Sequence, residues 1–229
     1  MAKTKDSQNL MEKAYWQIKE MIFRQKIWPG QKIIYGDLAN RLKMSKTPIG
    51  YALGKLEQEN FLTLIPNQGY FVKEIDPEEI REYFEVREAL ESQAIFLLIS
   101  KRSDEGMEEL ERRIREHKGY VISIYDRKKM ILDAKVHLQI AAMAGNRVLW
   151  KQLKQIFEHL YLRFRVEFLH PERMKVSPLE HENLLEAIKE NDLEKGEAQI
   201  RIHIRSAMEN MIGSMKREEE DFEFGKAGI

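Results

Sequence analysis

A chain of 229 residues suits one large or two modest domains and can bury a real core. It has no run of about 18 apolar residues to span a membrane, its polar start Met1–Ser7 lacks the apolar core of a signal peptide, and the absence of cysteine excludes disulfides and thiolate metal sites. The net charge of zero hides a split: residues 1–75 hold 12 Lys+Arg against 7 Asp+Glu, a balance of +5, and residues 76–229 hold 26 against 31, a balance of −5. These features point to a cytoplasmic protein whose basic N-terminal part attracts phosphate.

The pattern from Asp37 to Val72 is the most specific in the chain. Leu38, Ala39 and Leu42 give a first short helix its apolar stripe. Ser45 and Thr47 read as N-cap residues, and Pro48 suits the first turn of the next helix. Ile49, Ala52, Leu53 and Leu56 then recur at helical spacing, facing inward, while Lys46, Thr47, Gly50, Tyr51 and Lys55 take the opposite face. Phe61–Ile65 and Tyr70–Val72 have strand composition, and Pro66–Gly69 between them is turn chemistry. Two short helices, a tight turn and a hairpin make a winged helix-turn-helix, which places one helix in the major groove of DNA. The bland alternative is a helical hairpin beside a β-ribbon, with no nucleic acid.

A boundary follows at Glu74–Glu78, where Asp76 reads as an N-cap, Pro77 as the first helical residue and Glu79 as a favourable first-turn acid. Beyond it no strand pattern is found. Residues 77–100, about 104–125, 127–144, 146–169, 180–190 and 192–218 read as helices. Gly145-Asn146 stops one helix and caps the next, and Ser177-Pro178 starts the short one. Residues 1–8 and the acidic stretch 219–229 are expected to be mobile. The fold class is therefore mainly α: a winged helix-turn-helix with a short hairpin wing in residues 1–75, an all-helical bundle in 76–218, and a tail in 219–229.

Six histidines lie in the helical part, and three of them sit on apolar faces. Asp133 and His137 are spaced i, i+4 beside Met130, Ile140 and Ala144; a helix brings such a pair to about 6 Å, close enough to grip one ion. His181 shares a face with Leu184, Leu185 and Ile188, and His203 shares one with Gly196, Ile200 and Ala207. Three imidazoles and a carboxylate suit a divalent zinc, nickel, manganese or iron ion. Taken alone, buried histidines are more often hydrogen-bonded core residues than ligands. Arg87 stands one turn before Glu91, so an ion pair within the helix and a cavity-facing guanidinium that meets a carboxylate are both open. Asn146 is either a cap or a side chain that reaches the site. On the long helix Arg163 and Arg165 cannot both point inward.

Residues 10–75 resemble the DNA-binding domain of the GntR family of bacterial transcription regulators, through Leu38-Ala39, Ser45, Pro48, Ile49, Ala52-Leu53 and Gly69-Tyr70-Phe71-Val72. The chain departs from that pattern at Lys46 and Gly50, both usually Arg, which puts the family's usual operator sequence in doubt. The resemblance implies that Arg41, Ser45, Lys46, Thr47, Tyr51 and Lys55 meet DNA. Residues 77–218 resemble the helical effector domain, called FCD, of the FadR subfamily, through Val86–Glu91, Asp133–His137, Gly145-Asn146, His181 with Ala187-Ile188, and His203-Ile204. That likeness implies a divalent metal on Asp133, His137, His181 and His203, a small organic-acid effector beside it, and Arg87 and Asn146 as candidate effector contacts. His117, His159 and His170 match nothing in it and read as surface or packing residues. One recognition helix covers too little DNA for a tight site, so a homodimer on a pseudo-palindromic operator is expected. In regulators of this type the effector usually releases DNA. The rivals are a sensor of the metal itself and, from another class, a metalloenzyme using the same site.

Overall fold

The computed structural model describes residues 2–121, 127–165 and 171–226. Its contacts divide the chain into two compact units, Met1–Ile75 with Tyr161–Arg165, and Asp76–Leu160 with Val166–Ile229.

The first unit opens with α1 (Ala2–Phe23), followed by α2 (Tyr35–Leu42), α3 (Lys46–Gln58), β1 (Leu62–Ile65) and β2 (Gly69–Val72). Helix α1 buries Ala14, Ile18 and Ile22, spaced four apart, against Ile49, Leu53 and Leu56 of α3. It begins at Ala2, so the segment expected to be mobile starts a helix; nothing from Ala2 to Gln8 breaks one. Between α2 and α3 the chain turns at Lys43, which adopts the left-handed conformation (φ 52°). Ser45 is the N-cap of α3, but its side chain makes no capping bond, and Thr47 lies inside the first turn rather than at the cap. The wing is antiparallel, with Leu62 opposite Val72 and Ile65 opposite Gly69. Gly69 takes a φ of 99° at the end of the turn, a conformation open to glycine. A further bridge joins Lys32 to Phe71, a rung the sequence pattern does not reveal. Leu162 joins this core, and buried Arg163 donates through Nη2 to the Glu74 carbonyl (2.7 Å). Arg165 is instead exposed, paired with the Glu74 carboxylate.

The second unit holds α4 (Pro77–Ile99), α5 (Asp104–Gly119), α6 (Lys128–Met143), α7 (Arg147–Arg163, its last turn counted with the first unit), α8 (Pro171–Lys189) and α9 (Leu193–Lys226). Asp76 caps α4 by accepting from the Glu79 N–H (2.8 Å), with Pro77 in the first turn. Helix α4 packs on α6 and α9, α5 on α6 and α8, and α8 on α9, around Ile95, Leu98, Leu110, Val136, Ile140, Ile188, Ile200 and Ile204. Four boundaries differ from the sequence expectation. Helix α5 stops at Gly119, where Tyr120 turns extended, and α7 stops at Arg163; the rest of each expected helix falls partly outside the described residues. Helix α8 begins at Pro171 and carries Pro178 in its interior, so Ser177-Pro178 is not its start. Helix α9 continues past residue 218 to Lys226, through a Glu-rich stretch made of good helix formers.

Candidate metal centre and nucleic-acid interface

Helix α6 presents Asp133 and His137, α8 presents His181, and α9 presents His203. One donor atom from each lies within 4.8 Å of all the others. His137 Nε2 is 3.1 Å from His203 Nε2 and 3.3 Å from His181 Nε2. The Asp133 carboxylate faces the three Nε2 atoms at 3.5, 3.6 and 3.9 Å. All three imidazoles are buried.

The outer nitrogen of each ring is held from behind. His137 Nδ1–H donates to Glu91 Oε2 at 2.5 Å, and His203 Nδ1–H donates to Glu180 Oε2 at 2.7 Å. His181 Nδ1 lies 3.1 Å from His117 Nδ1. Glu180 also accepts from Arg173 Nη1 (2.5 Å), while Arg173 Nη2 donates to the His203 carbonyl (3.1 Å). Ser177 Oγ donates to Asp133 Oδ1 at 2.9 Å. A carboxylate on Nδ1 favours the tautomer with the proton there, which leaves Nε2 of His137 and His203 as acceptors facing each other, the first of them also met by Arg87 Nη2. Acceptors converging in a buried space repel one another unless a positive centre stands among them, and a divalent ion is one such centre. Ligands bonded at about 2.1 Å in tetrahedral or octahedral array stand roughly 3.0–3.4 Å apart, the spacing of the nitrogens here. The residues present therefore fit a divalent ion.

The electrostatics agree. Burial pushes the Asp133 carboxyl up, but the surrounding imidazoles, His137 foremost, hold it well below the ordinary carboxylate range. Burial drives His181 well below the ordinary imidazole value, with His203 adding to the effect. Burial also lowers His203 to about 4 against the opposing effect of its hydrogen bond to Glu180, and lowers His117 to about 4 against the opposing charge of Asp133. His181 and His203 are thus neutral beside an ionised carboxylate, the protonation state that metal ligation needs, whereas for His137 burial is outweighed by the Glu91 carboxylate, which holds it above the ordinary imidazole value.

Arg87 makes the ion pair within its helix and also reaches the cluster. Its Nε donates to Glu91 Oε1 (2.6 Å) within α4, and its Nη2 donates to His137 Nε2 (2.8 Å). The guanidinium lies over the Phe157 ring, 4.6 Å from its centroid, and is fully buried. Asn146 is elsewhere: its Oδ1 accepts from the backbone N–H groups of Val148 and Leu149 (3.1 Å each), and the residue is exposed. It caps α7, so its reading as an effector contact is corrected. Of the two readings open for His117, surface or packing, the second is the one observed: it is buried against His181. His159 stacks on Tyr83 (5.2 Å between rings), and His170 lies outside the described residues. Glu91, Glu180, His117 and Ser177 are members of the site that sequence reasoning passes over.

In the first unit, α3 buries Pro48, Ile49, Ala52, Leu53 and Leu56 and leaves Lys46, Thr47 and Tyr51 exposed, with Ser45 just before them and Arg41 at the end of α2. Lys55 is turned away from that group. Its Nζ sits 4.2 Å over the Tyr15 ring and 3.9 Å from Glu12 of α1, so the expectation that it meets DNA is corrected. It lies at the margin of the exposed arc, where a long side chain reaches back over a neighbouring helix.

A winged helix-turn-helix with a helical companion that encloses an Asp/His cluster defines a class of DNA-binding regulators. Residues 10–72 match the family model "Bacterial regulatory proteins, gntR family", and residues 82–206 match that of the FCD domain. The chain belongs to the GntR family of bacterial transcription regulators and carries an FCD domain. It is 24% identical over 198 residues to the uncharacterized HTH-type transcriptional regulator YdhC of Bacillus subtilis, an alignment covering 86% of this chain and 88% of that one. It is likewise 24% identical over 201 residues to the HTH-type transcriptional repressor GlaR of Escherichia coli, covering 83% and 90%. The solved structure of E. coli McbR/YncC shares the fold, with a TM-score of 0.75 at 21% identity over 90% of this chain and 98% of that one. Among the described residues, no helix is long and apolar enough to cross a membrane.

Proposed function

We propose that this regulator is a cytoplasmic homodimer of the FadR subfamily that binds a pseudo-palindromic operator and answers to a small carboxylate effector at a metal-bearing site. Asp133, His137, His181 and His203 would hold the ion, and Glu91, Glu180 and His117 would orient the three rings. When bound, the ion supplies a Lewis-acidic centre for a carboxylate. The observation that carries the reading is a guanidinium beside a cation site: Arg87 Nη2 is 2.8 Å from the ring nitrogen that would face the metal. A lone pair serves one partner at a time. With His137 Nε2 engaged as a ligand, Arg87 Nη2 would be left to meet an anion, and a carboxylate would suit both positive centres.

DNA is read through Lys46, Thr47 and Tyr51 on the exposed face of α3, with Ser45 and Arg41 on flanking phosphates. The effector acts by its differential affinity for the DNA-bound and released states. Titrating operator binding first with zinc, nickel, manganese or iron salts, then with each metal plus a panel of small carboxylic acids, tests this. The expected result is release by an acid only in the presence of metal. Release by metal alone would instead establish a metal sensor, and turnover of the acid would establish an enzyme.

A further inference from the structure

Gly50 lies in the middle of the exposed arc of α3, between Lys46 and Thr47 on the helical wheel. A Cβ built on it would meet only Tyr35, with the hydroxyl oxygen at 3.6 Å and a ring carbon at 4.0 Å. Tyr35 is the first residue of α2. Its ring is half-buried and packs on the first unit's core and on Tyr70 of β2, with centroids 6.4 Å apart. Gly54, one turn further along the same arc, has nothing within 4 Å of its own Cβ position. The centre of this face thus carries no side chain of its own, and a phenol from the neighbouring helix ends there. Among the described residues no hydrogen-bond partner faces that hydroxyl.

We infer that Tyr35 is a specificity-determining residue, its hydroxyl contacting a base edge in the major groove at the place where residue 50 has no side chain to offer. A phenol both donates and accepts, so it can serve a purine N7, a guanine O6, a thymine O4 or an exocyclic amine. Its position is preorganised: the ring packs on the core and on Tyr70 of the wing, and its hydroxyl oxygen is the atom nearest the bare Gly50 position. The inference rests on the assignment of the exposed face of α3 as the DNA-reading face.

The test is selection from a random-sequence DNA duplex library by the full-length protein and by Tyr35→Phe, with melting curves to verify that both are folded. Tyr35→Phe removes one oxygen and should lose roughly three- to tenfold of base discrimination at one symmetric position per half-site, the scale of one hydrogen bond. Gly50→Leu, which drives a side chain into the space of the hydroxyl, should alter the same position, and the double variant should add little. Unchanged selection by Tyr35→Phe, or uniform weakening on every sequence as for a phosphate contact, would overturn the inference. Lys46→Ala in parallel separates the two assignments, because loss of binding there with no effect of Tyr35→Phe would sink Tyr35 alone. No effect of Lys46→Ala would displace the whole recognition face.

Discussion

The two polar surfaces of this chain are built on opposite terms. On α3, Lys46, Thr47 and Tyr51 stand in water, and water keeps them satisfied until a partner arrives. In the helical unit, His137, His181 and His203 are buried with Asp133 half-buried beside them, so each depends on a designated partner within the protein. An exposed recognition face can therefore lose one residue and remain folded. A buried polar cluster answers to the loss of one member as a unit.

That contrast can be broken most decisively at the cluster. His137→Ala should abolish stoichiometric metal, and adding His203→Ala should change little further, as read by elemental analysis of purified protein. Metal retained in either single variant would dissolve the four-ligand set. Glu91→Ala should be next in size, since it strands Arg87 and His137 without their shared carboxylate; both residues of the Arg87–Glu91 pair are 1% exposed. Removing one partner of such a pair costs about 3–5 kcal/mol, measurable as a fall in the denaturation midpoint. His117→Ala should leave the metal in place but lower its affinity by roughly ten- to a hundredfold, the usual effect of losing a residue that orients a ligand. On the exposed face, Lys46→Ala or Arg41→Ala should leave the melting temperature unchanged. If they touch phosphate they should weaken all sequences alike and flatten the salt dependence; if Lys46 reads a guanine, specificity should relax at one position by about 1–3 kcal/mol.

The smallest effect sharpens the comparison through pH. His117 and His203 are held near 4 in the fold, mainly by burial, against about 6.5 in the unfolded chain. Between those values the unfolded state binds more protons, so the metal-free protein should lose stability as pH falls from about 6.5 to 4. His117→Asn should flatten that slope. A slope of the opposite sign would mean that the rings are charged in the fold.

The two surfaces also differ in how far the sequence reveals them. The helix-turn-helix is legible because its signals are local: Leu38-Ala39, the Pro48 turn and the Ile49–Leu56 periodicity occupy about twenty consecutive positions. Lys55 escapes this logic, since its direction is set by Tyr15, forty residues away. In the cluster, Asp133 and His137 betray themselves by an i, i+4 spacing. Glu91 and His117 do not, because they lie on other helices, 46 and 64 positions from the rings they hold. Glu180 is hidden differently: it neighbours His181 in sequence yet serves His203 on the next helix. Pro178 reads locally as a helix start and is overruled by packing on both sides.

That proline has a mechanical meaning. Without an N–H, residue 178 cannot bond the Met174 carbonyl four positions back, so α8 lacks one rung of its ladder about a turn before His181. Arg173 and Ser177, which hold the His203 carbonyl and Asp133, lie on one side of the gap, and His181 lies on the other. The helix therefore holds the same knot of side chains from both sides of the rung missing at residue 178, so the one gap in its ladder lies between its two grips on the site.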